Sequence, residues 1–195
     1  MSLYKVILSF ILFLLSSCGD DSGFNITVLL DDCSSSSDSV EYFGSLYNCG
    51  DLEFLHDFAN DNSSFSGLNL INIGIQNWSY SGRMLDLILY NSGDIDVIPS
   101  SIGNLDALML LDLSADSDSP GSLNYLPYEI GNLENLVELY LNYNQLVVLP
   151  ESIGSLSDLK ELNISNNKLI NLPESFENLS NLENLYINNN LLESI

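Results

Sequence analysis

Residues 136–156 read LVELYLNYNQLVVLPESIGSL. Apolar residues stand at Leu136, Leu139, Leu141, Leu146 and Leu149, and Pro150, Ile153, Gly154 and Leu156 follow. Within Leu139-Tyr140-Leu141 the pattern alternates, as a short strand facing a core on one side must. Moving outward, Leu159, Leu162, Ile164, Asn167, Leu169, Leu172 and Pro173 repeat the arrangement. Leu182, Leu185, Ile187, Asn190, Leu192 and Ile195 begin it again. Pro127, Pro150 and Pro173 are 23 residues apart, and so are Leu136, Leu159 and Leu182, and Asn144, Asn167 and Asn190. Three residue types sharing one period mark a stacked-repeat architecture.

Each feature of the period has a physical reason. A single unit cannot bury its own apolar face, so units stack. Stacking pairs their short strands about 4.8 Å apart as a parallel sheet. The leucines point inward. Asn144, Asn167 and Asn190 sit where the chain bends away from the strand, and their amides suit backbone groups that the bend leaves unpaired. Leu-Pro ends the extended segment, because proline cannot continue a ladder.

Two earlier units hold the pattern less cleanly. One has Leu85, Ile88, Tyr90, Ile95, Ile98 and Pro99 in register, with Gly93 in the asparagine slot. The next has Leu108, Leu111 and Leu113, with Asp116 in that slot. Pro99 and Pro127 are 28 residues apart, so this unit carries five extra residues, assigned to 116–122.

The pattern L-x-x-L-x-L-x-x-N-x-L, continued by Leu-Pro-x-x-Ile-Gly-x-Leu, resembles the leucine-rich-repeat family in its 23-residue form over residues 85–195. The resemblance implies an α/β solenoid, with short parallel strands on a concave face and irregular or helical turns on the convex face. It also implies a ligand surface on the exposed strand positions. By register these are Leu89, Asp112, Tyr140, Asn163 and Tyr186 in one row and Leu87, Leu110, Glu138, Glu161 and Asn184 in a second. Asn91, Ser114, Asn142, Ser165 and Asn188 make a third, flanked by Tyr143. Asp112, Glu138, Tyr140, Tyr143, Glu161, Asn163, Asn184 and Tyr186 are the candidate binding residues. Rigid amphipathic aromatics dominate interface hot spots, which puts the tyrosines first.

Residues 50–84 are expected to cap the stack. Leu52, Leu55, Phe58 and Ala59 form the apolar stripe of a helix over 51–62, with Asp51 and Glu53 in its first turn, where the helix dipole favours acids. Leu68, Leu70, Ile73, Ile75 and Trp78 read as a degenerate repeat, with Trp78 as a core plug. At the other end, Leu185, Ile187, Leu192 and Ile195 are expected to be partly bare, which suits either a longer protein or an end that docks on something.

Before the cap lie a leader and a linker. Lys5 precedes the apolar run Val6–Leu15, which at ten residues is too short to span a bilayer as a helix. Leu15-Ser16-Ser17-Cys18 resembles the lipobox of bacterial lipoproteins, which implies that residues 1–17 are removed and that the Cys18 thiol carries lipid. Two or three acyl chains hold a protein stably on a membrane. Residues 18–49, rich in Ser and Asp, read as a flexible tether. It contains Cys33, which in an oxidising compartment either joins Cys49 or stays a free thiol.

The chain has 27 acidic and four basic residues, a formal charge of −23. That excludes a nucleic-acid surface, which needs a basic patch, and leaves the lipid as the only membrane contact. No metal quartet, phosphate loop or Ser/His pair is visible in the repeats, so no cofactor, metal or catalytic residue is assigned. Asp112, Ser114, Asp116 and Asp118 alternate oxygen ligands but lack the glycine and distal glutamate of a calcium loop. The function expected is an extracytoplasmic binding module of the bacterial cell envelope, periplasmic or at the cell surface, that recognises a protein or glycan. The alternative is a surface coat with no single ligand. Mass spectrometry of the mature N-terminus, after expression in a two-membrane bacterium, should find a chain starting at acylated Cys18. Cys18→Ala should abolish that form, and an unmodified start elsewhere removes the tether.

Overall fold

The computed structural model describes residues 33, 39–42, 45–65, 73–91 and 95–193. The leader, Cys18, most of the linker, Leu68, Leu70, Gly93 and Ile195 lie outside the described residues. No described helix is long and apolar enough to cross a membrane.

Strands β1 (Ser39–Tyr42) and β2 (Ser45–Asn48) form an antiparallel hairpin that runs into helix α1 (Cys49–Asp61). The linker expected to reach residue 49 therefore ends earlier. Cys33 and Cys49 are disulfide-bonded, with S–S 2.10 Å. Asn48 caps α1, its Oδ1 accepting from Gly50 N at 2.9 Å and Asp51 N at 3.3 Å. Phe54, Phe58 and Leu55 face the stack and are fully buried.

Six further strands make one sheet in sequence order: β3 (Ile75–Trp78), β4 (Met84–Ile88), β5 (Leu110–Asp112), β6 (Glu138–Tyr140), β7 (Glu161–Asn163) and β8 (Asn184–Tyr186). From β4 onward they are parallel, and Leu87, Leu111, Leu139, Leu162 and Leu185 share one row. The opposite side of each turn is a short 3-10 helix: Ser100–Asn104, Tyr128–Asn132, Glu151–Ser155 and Glu174–Asn178, each entered from proline. The Ile-Gly step in these helices has a packing cause. A Cβ on Gly131 would meet the Ser152 carbonyl, and one on Gly154 the Ser175 carbonyl of the next turn.

Two expectations at the N-terminal end are corrected. β3 is antiparallel to β4, so residues 75–78 belong to a cap and not to a degenerate repeat. Trp78 packs against the core but is only partly buried. It meets Tyr47 edge-on at 5.0 Å and donates from Nε1 to Gln76 Oε1 at 3.1 Å. In the first repeat the core residues are Met84, Leu87 and Leu89, all within 1 % of full burial, while Tyr90 is 49 % exposed. The expected Leu85, Ile88, Tyr90 register is thus off by one. A one-residue slip reverses every side chain in a strand, and Met84, in the leucine position, was the obscured marker.

The cap is locked by charge. Asp51, fully buried, accepts Arg83 Nη2 at 3.1 Å and Met84 N at 2.6 Å. Arg83 also donates to Asn104 O at 3.0 Å and pairs with Asp106. Burial pushes the Asp51 carboxyl up, and Arg83 pulls against it. Asn62, also fully buried, ends the helix. Its Nδ2 donates to Phe58 O and Val97 O, and its Oδ1 accepts from Asp96 N and Val97 N.

The asparagine row ties the turns together. Asn167 Nδ2 donates to Leu141 O at 2.9 Å in the preceding turn and to Ile164 O at 3.2 Å in its own. Its Oδ1 accepts from Leu146 N at 3.0 Å. Asn190 repeats this with Ile164 O, Ile187 O and Leu169 N. Asn144 donates to Leu113 O at 2.9 Å and Leu141 O at 3.2 Å. Asp116 does not join them. Its carboxylate turns outward and accepts from Asp118 N, Ser119 N and the Asn91 amide. Those donors hold it below the usual carboxylate range, Ser119 N foremost. Asn167→Ala strands buried carbonyls and an N–H in two turns, and should cost about 2–4 kcal/mol in denaturant unfolding. Asn190→Ala, which removes the same contacts at a half-buried position, should cost less, and no loss in either variant would refute a between-turn role.

Candidate functional site

The sheet register fixes the concave surface. Asp86, Leu110, Glu138, Glu161 and Asn184 form one row, and Ile88, Asp112, Tyr140, Asn163 and Tyr186 the other. Leu87 and Leu89, expected on this face, are buried, and Asp86 and Ile88 take their places. The N-terminal part of the face is therefore mixed rather than apolar. These two positions were hidden by the register slip.

The candidate residues divide by what their polar atoms already do. Asp112 Oδ1 accepts from Ser114 N at 2.9 Å and Ser114 Oγ at 2.5 Å. Asn163 Oδ1 accepts from Ser165 N at 3.1 Å and Ser165 Oγ at 2.7 Å. Both side chains turn the chain at a strand end, so part of their capacity is structural. Among the described residues no group of three His, Cys, Asp or Glu side chains converges as a metal site.

Glu138, Tyr140 and Glu161 form a connected cluster. The Tyr140 hydroxyl lies 2.9 Å from Glu138 Oε2 and 3.1 Å from Glu161 Oε1. A phenol has one proton, so it donates to one carboxylate at a time and holds the ring between two strands. Partial burial, then Glu138 and Glu161, push the Tyr140 hydroxyl far above the ordinary tyrosine range. Two strands on, Tyr186 is 47 % exposed, and Asn184 beside it is exposed.

Tyr143 stands apart from the strand rows. Among the described residues four non-glycines have positive φ: Asn91 at 48°, Tyr143 at 59°, Asn166 at 56° and Asn189 at 59°. The last three occupy one position in consecutive turns. Asparagine tolerates this left-handed conformation, whereas a bulky side chain there is an outlier. The fold therefore prefers asparagine at 143 and holds tyrosine instead.

Residues 130–193 match the family described as Leucine rich repeat. Among solved structures, a leucine-rich-repeat protein of Leptospira interrogans is 41 % identical over 53 % of this chain and 25 % of its own, with a TM-score of 0.49. A plant ice-binding protein is 24 % identical over 74 % of this chain and 49 % of its own, with a TM-score of 0.58. The BIR3–SERK2 complex from Arabidopsis thaliana is 26 % identical over 71 % of this chain and 79 % of the matched chain, with a TM-score of 0.52. The chain thus spans a quarter of the Leptospira protein and about half of the ice-binding protein. No curated protein is similar enough to match.

The Tyr140 cluster sets a pH dependence whose sign follows from linkage. A folded-state value raised above the unfolded one, about 10 for tyrosine, gives stability that is full below the unfolded value and lost as pH rises through the folded one. In a difference titration of wild type against Tyr140→Phe, the Tyr140 phenol should ionise after ordinary exposed tyrosines. Glu138→Gln/Glu161→Gln should bring its midpoint down toward 10. A midpoint already at the ordinary value would dissolve the cluster.

Proposed function

We propose that this chain, which carries leucine-rich repeats, is a non-catalytic binding module of the bacterial envelope that takes a protein partner on its concave face while a lipid on Cys18 tethers it. The observation that carries the binding reading is the surface around Tyr140 and Tyr186. These aromatic rings stand on a rigid sheet beside half-buried carboxylates, and Asn144, Asn167 and Asn190, which tie the turns together, lie elsewhere. Immobilised aromatic anchors lose little entropy on binding. The outlying conformation of Tyr143 supports the same face, because a strained residue that the fold does not require marks a position held for another purpose. The matched chain that shares this fold is one member of the BIR3–SERK2 complex, which favours a protein over a glycan here.

The sign of the charge narrows the partner. With −23 on the chain and Asp86, Glu138 and Glu161 in one row, a basic segment is steered in and an acidic one repelled. Glu138 and Glu161 share one phenol, an arrangement that orders a binding surface. The disulfide and the Leu15-Ser16-Ser17-Cys18 sequence support an extracytoplasmic, lipid-anchored placement.

Selection of a random peptide library on the immobilised protein tests the face. Enriched peptides should be rich in Lys and Arg and should weaken as salt rises. They should lose tenfold or more of their affinity on Tyr140→Ala or Tyr186→Ala, but not on Tyr128→Ala, whose side chain is 69 % exposed on the convex side. Tyr143→Asn should raise stability by about 1 kcal/mol while weakening the same peptides. Peptides indifferent to the concave substitutions would overturn the reading.

A further inference from the structure

The five-residue insertion leaves a cavity of about 240 Å³ beside the strand rows. Leu89, Ile95 and Leu113 line it with aliphatic surface, and Asn91, Ser119 and Asn144 supply polar groups. Its volume exceeds many times a water's share of about 30 Å³ and falls short of the roughly 300 Å³ at which drug-sized sites begin. It suits an object the size of one side chain.

Asn144 shows what that object must offer. In the later turns the corresponding oxygens accept a leucine amide of the preceding turn, Leu146 N and Leu169 N, each at 3.0 Å. The equivalent donor for Asn144 is Leu123 N. The insertion instead sets Gly121 against the Asn144 Oδ1, and among the described residues no donor reaches that oxygen. Asn144 is nonetheless only 5 % exposed. Its Nδ2 is committed to Leu113 O and Leu141 O, so what Asn144 has left to offer is an acceptor, beside the hydroxyls of Ser64 and Ser119 on the same lining. Asn91, exposed at the rim of the cavity, gives its Nδ2 to Asp116, which leaves its oxygen to accept. A ligand satisfying two amide oxygens must donate, which favours a group with donors only. Asp112, Asp116 and Asp118 on the adjoining segment, within a chain of charge −23, select a cation and reject an anion. Aliphatic lining suits a methylene stem carrying the charge.

We propose that this cavity binds an aliphatic primary ammonium, the group carried by a lysine side chain of a partner polypeptide or by a free alkylamine. The stem lies along Leu89 and Leu113, and the ammonium donates to Asn144 Oδ1 and Asn91 Oδ1. The site does not rest on the concave-face reading, and either stands if the other fails.

The test is titration of the isotope-labelled full chain at neutral pH and constant ionic strength, following the Asn91 and Asn144 side-chain amide signals by NMR. n-Butylamine hydrochloride and N-acetyl-lysine methylamide should each shift both signals saturably, and the uncharged N-acetyl-norleucine methylamide should not. Ser119→Asp, at an exposed position on the lining, should tighten binding about fivefold. Ser119→Lys should abolish it by supplying a competing ammonium. Tighter binding of the lysine amide than of butylamine assigns a polypeptide source, and equal binding assigns a free amine. The proposal falls if neither cation shifts the signals, if sodium chloride or the norleucine amide shifts them equally, or if Ser119→Lys leaves binding intact.

Discussion

Everything in this structure depends on one problem: a chain that bends sharply in every turn must bury its bends without stranding backbone N–H and C=O groups. The asparagine row solves it. Each amide has two donors and an acceptor, and Asn167 uses all three on buried backbone in two adjacent turns. The leucines supply the driving force, about 1.5–3 kcal/mol for each fully buried side chain. Apolar burial settles which strand residues face inward but leaves the backbone groups of the bends unpaired. The asparagines fix how one turn sits on the next, and so align the strand residues into rows.

Rows that begin in register need a first member, and a sheet edge exposed at the start would invite mispairing. The cap meets both needs. Antiparallel β3 covers the edge of β4, while α1 covers the apolar end. The buried Asp51–Arg83 pair connects them, because Asp51 also holds Met84 N, the first residue of β4. A buried pair is weak grounds for extra stability, since desolvation offsets much of the attraction. Its contribution here is positional: Arg83 reaches Asn104 and Asp106 in the first convex turn as well. Helix, strand and turn are thereby set from a single charge.

Legibility in the sequence followed periodicity. Where Leu, Asn and Pro share a period, from Leu136 on, strands, turns and asparagine contacts lie where the spacing put them. Where the period weakens, sequence reasoning slipped by one residue, because Met84 is as apolar as leucine but breaks the visual pattern. The cap helix was legible from its stripe. Asp51 was legible only as a helix-dipole residue, since a partner 32 positions away leaves no local signature. The antiparallel β3 was invisible for another reason: alternation gives the period of a strand but not its direction. Of the site, Glu138, Tyr140, Glu161, Asn184 and Tyr186 followed from register. The cavity did not, although the 28-residue spacing of Pro99 and Pro127 was its signal.

That spacing shows how a repeat protein acquires individuality. A stack of identical turns presents equivalent positions, and anything bound would find several overlapping sites. Substituting tyrosine for asparagine at one left-handed position, as at Tyr143, costs about 1 kcal/mol and marks one turn. Inserting five residues in the turn before it leaves the ladder one hydrogen bond short, because Gly121 and not a leucine amide meets the Asn144 oxygen. Both departures fall within one turn of each other, and Asn144 follows Tyr143 in sequence. The ladder tolerates the loss because Asn144 keeps both of its donor contacts. Only the acceptor is released, so the same residue still carries the fold through its nitrogen while its oxygen lies against Gly121 on the lining of the cavity.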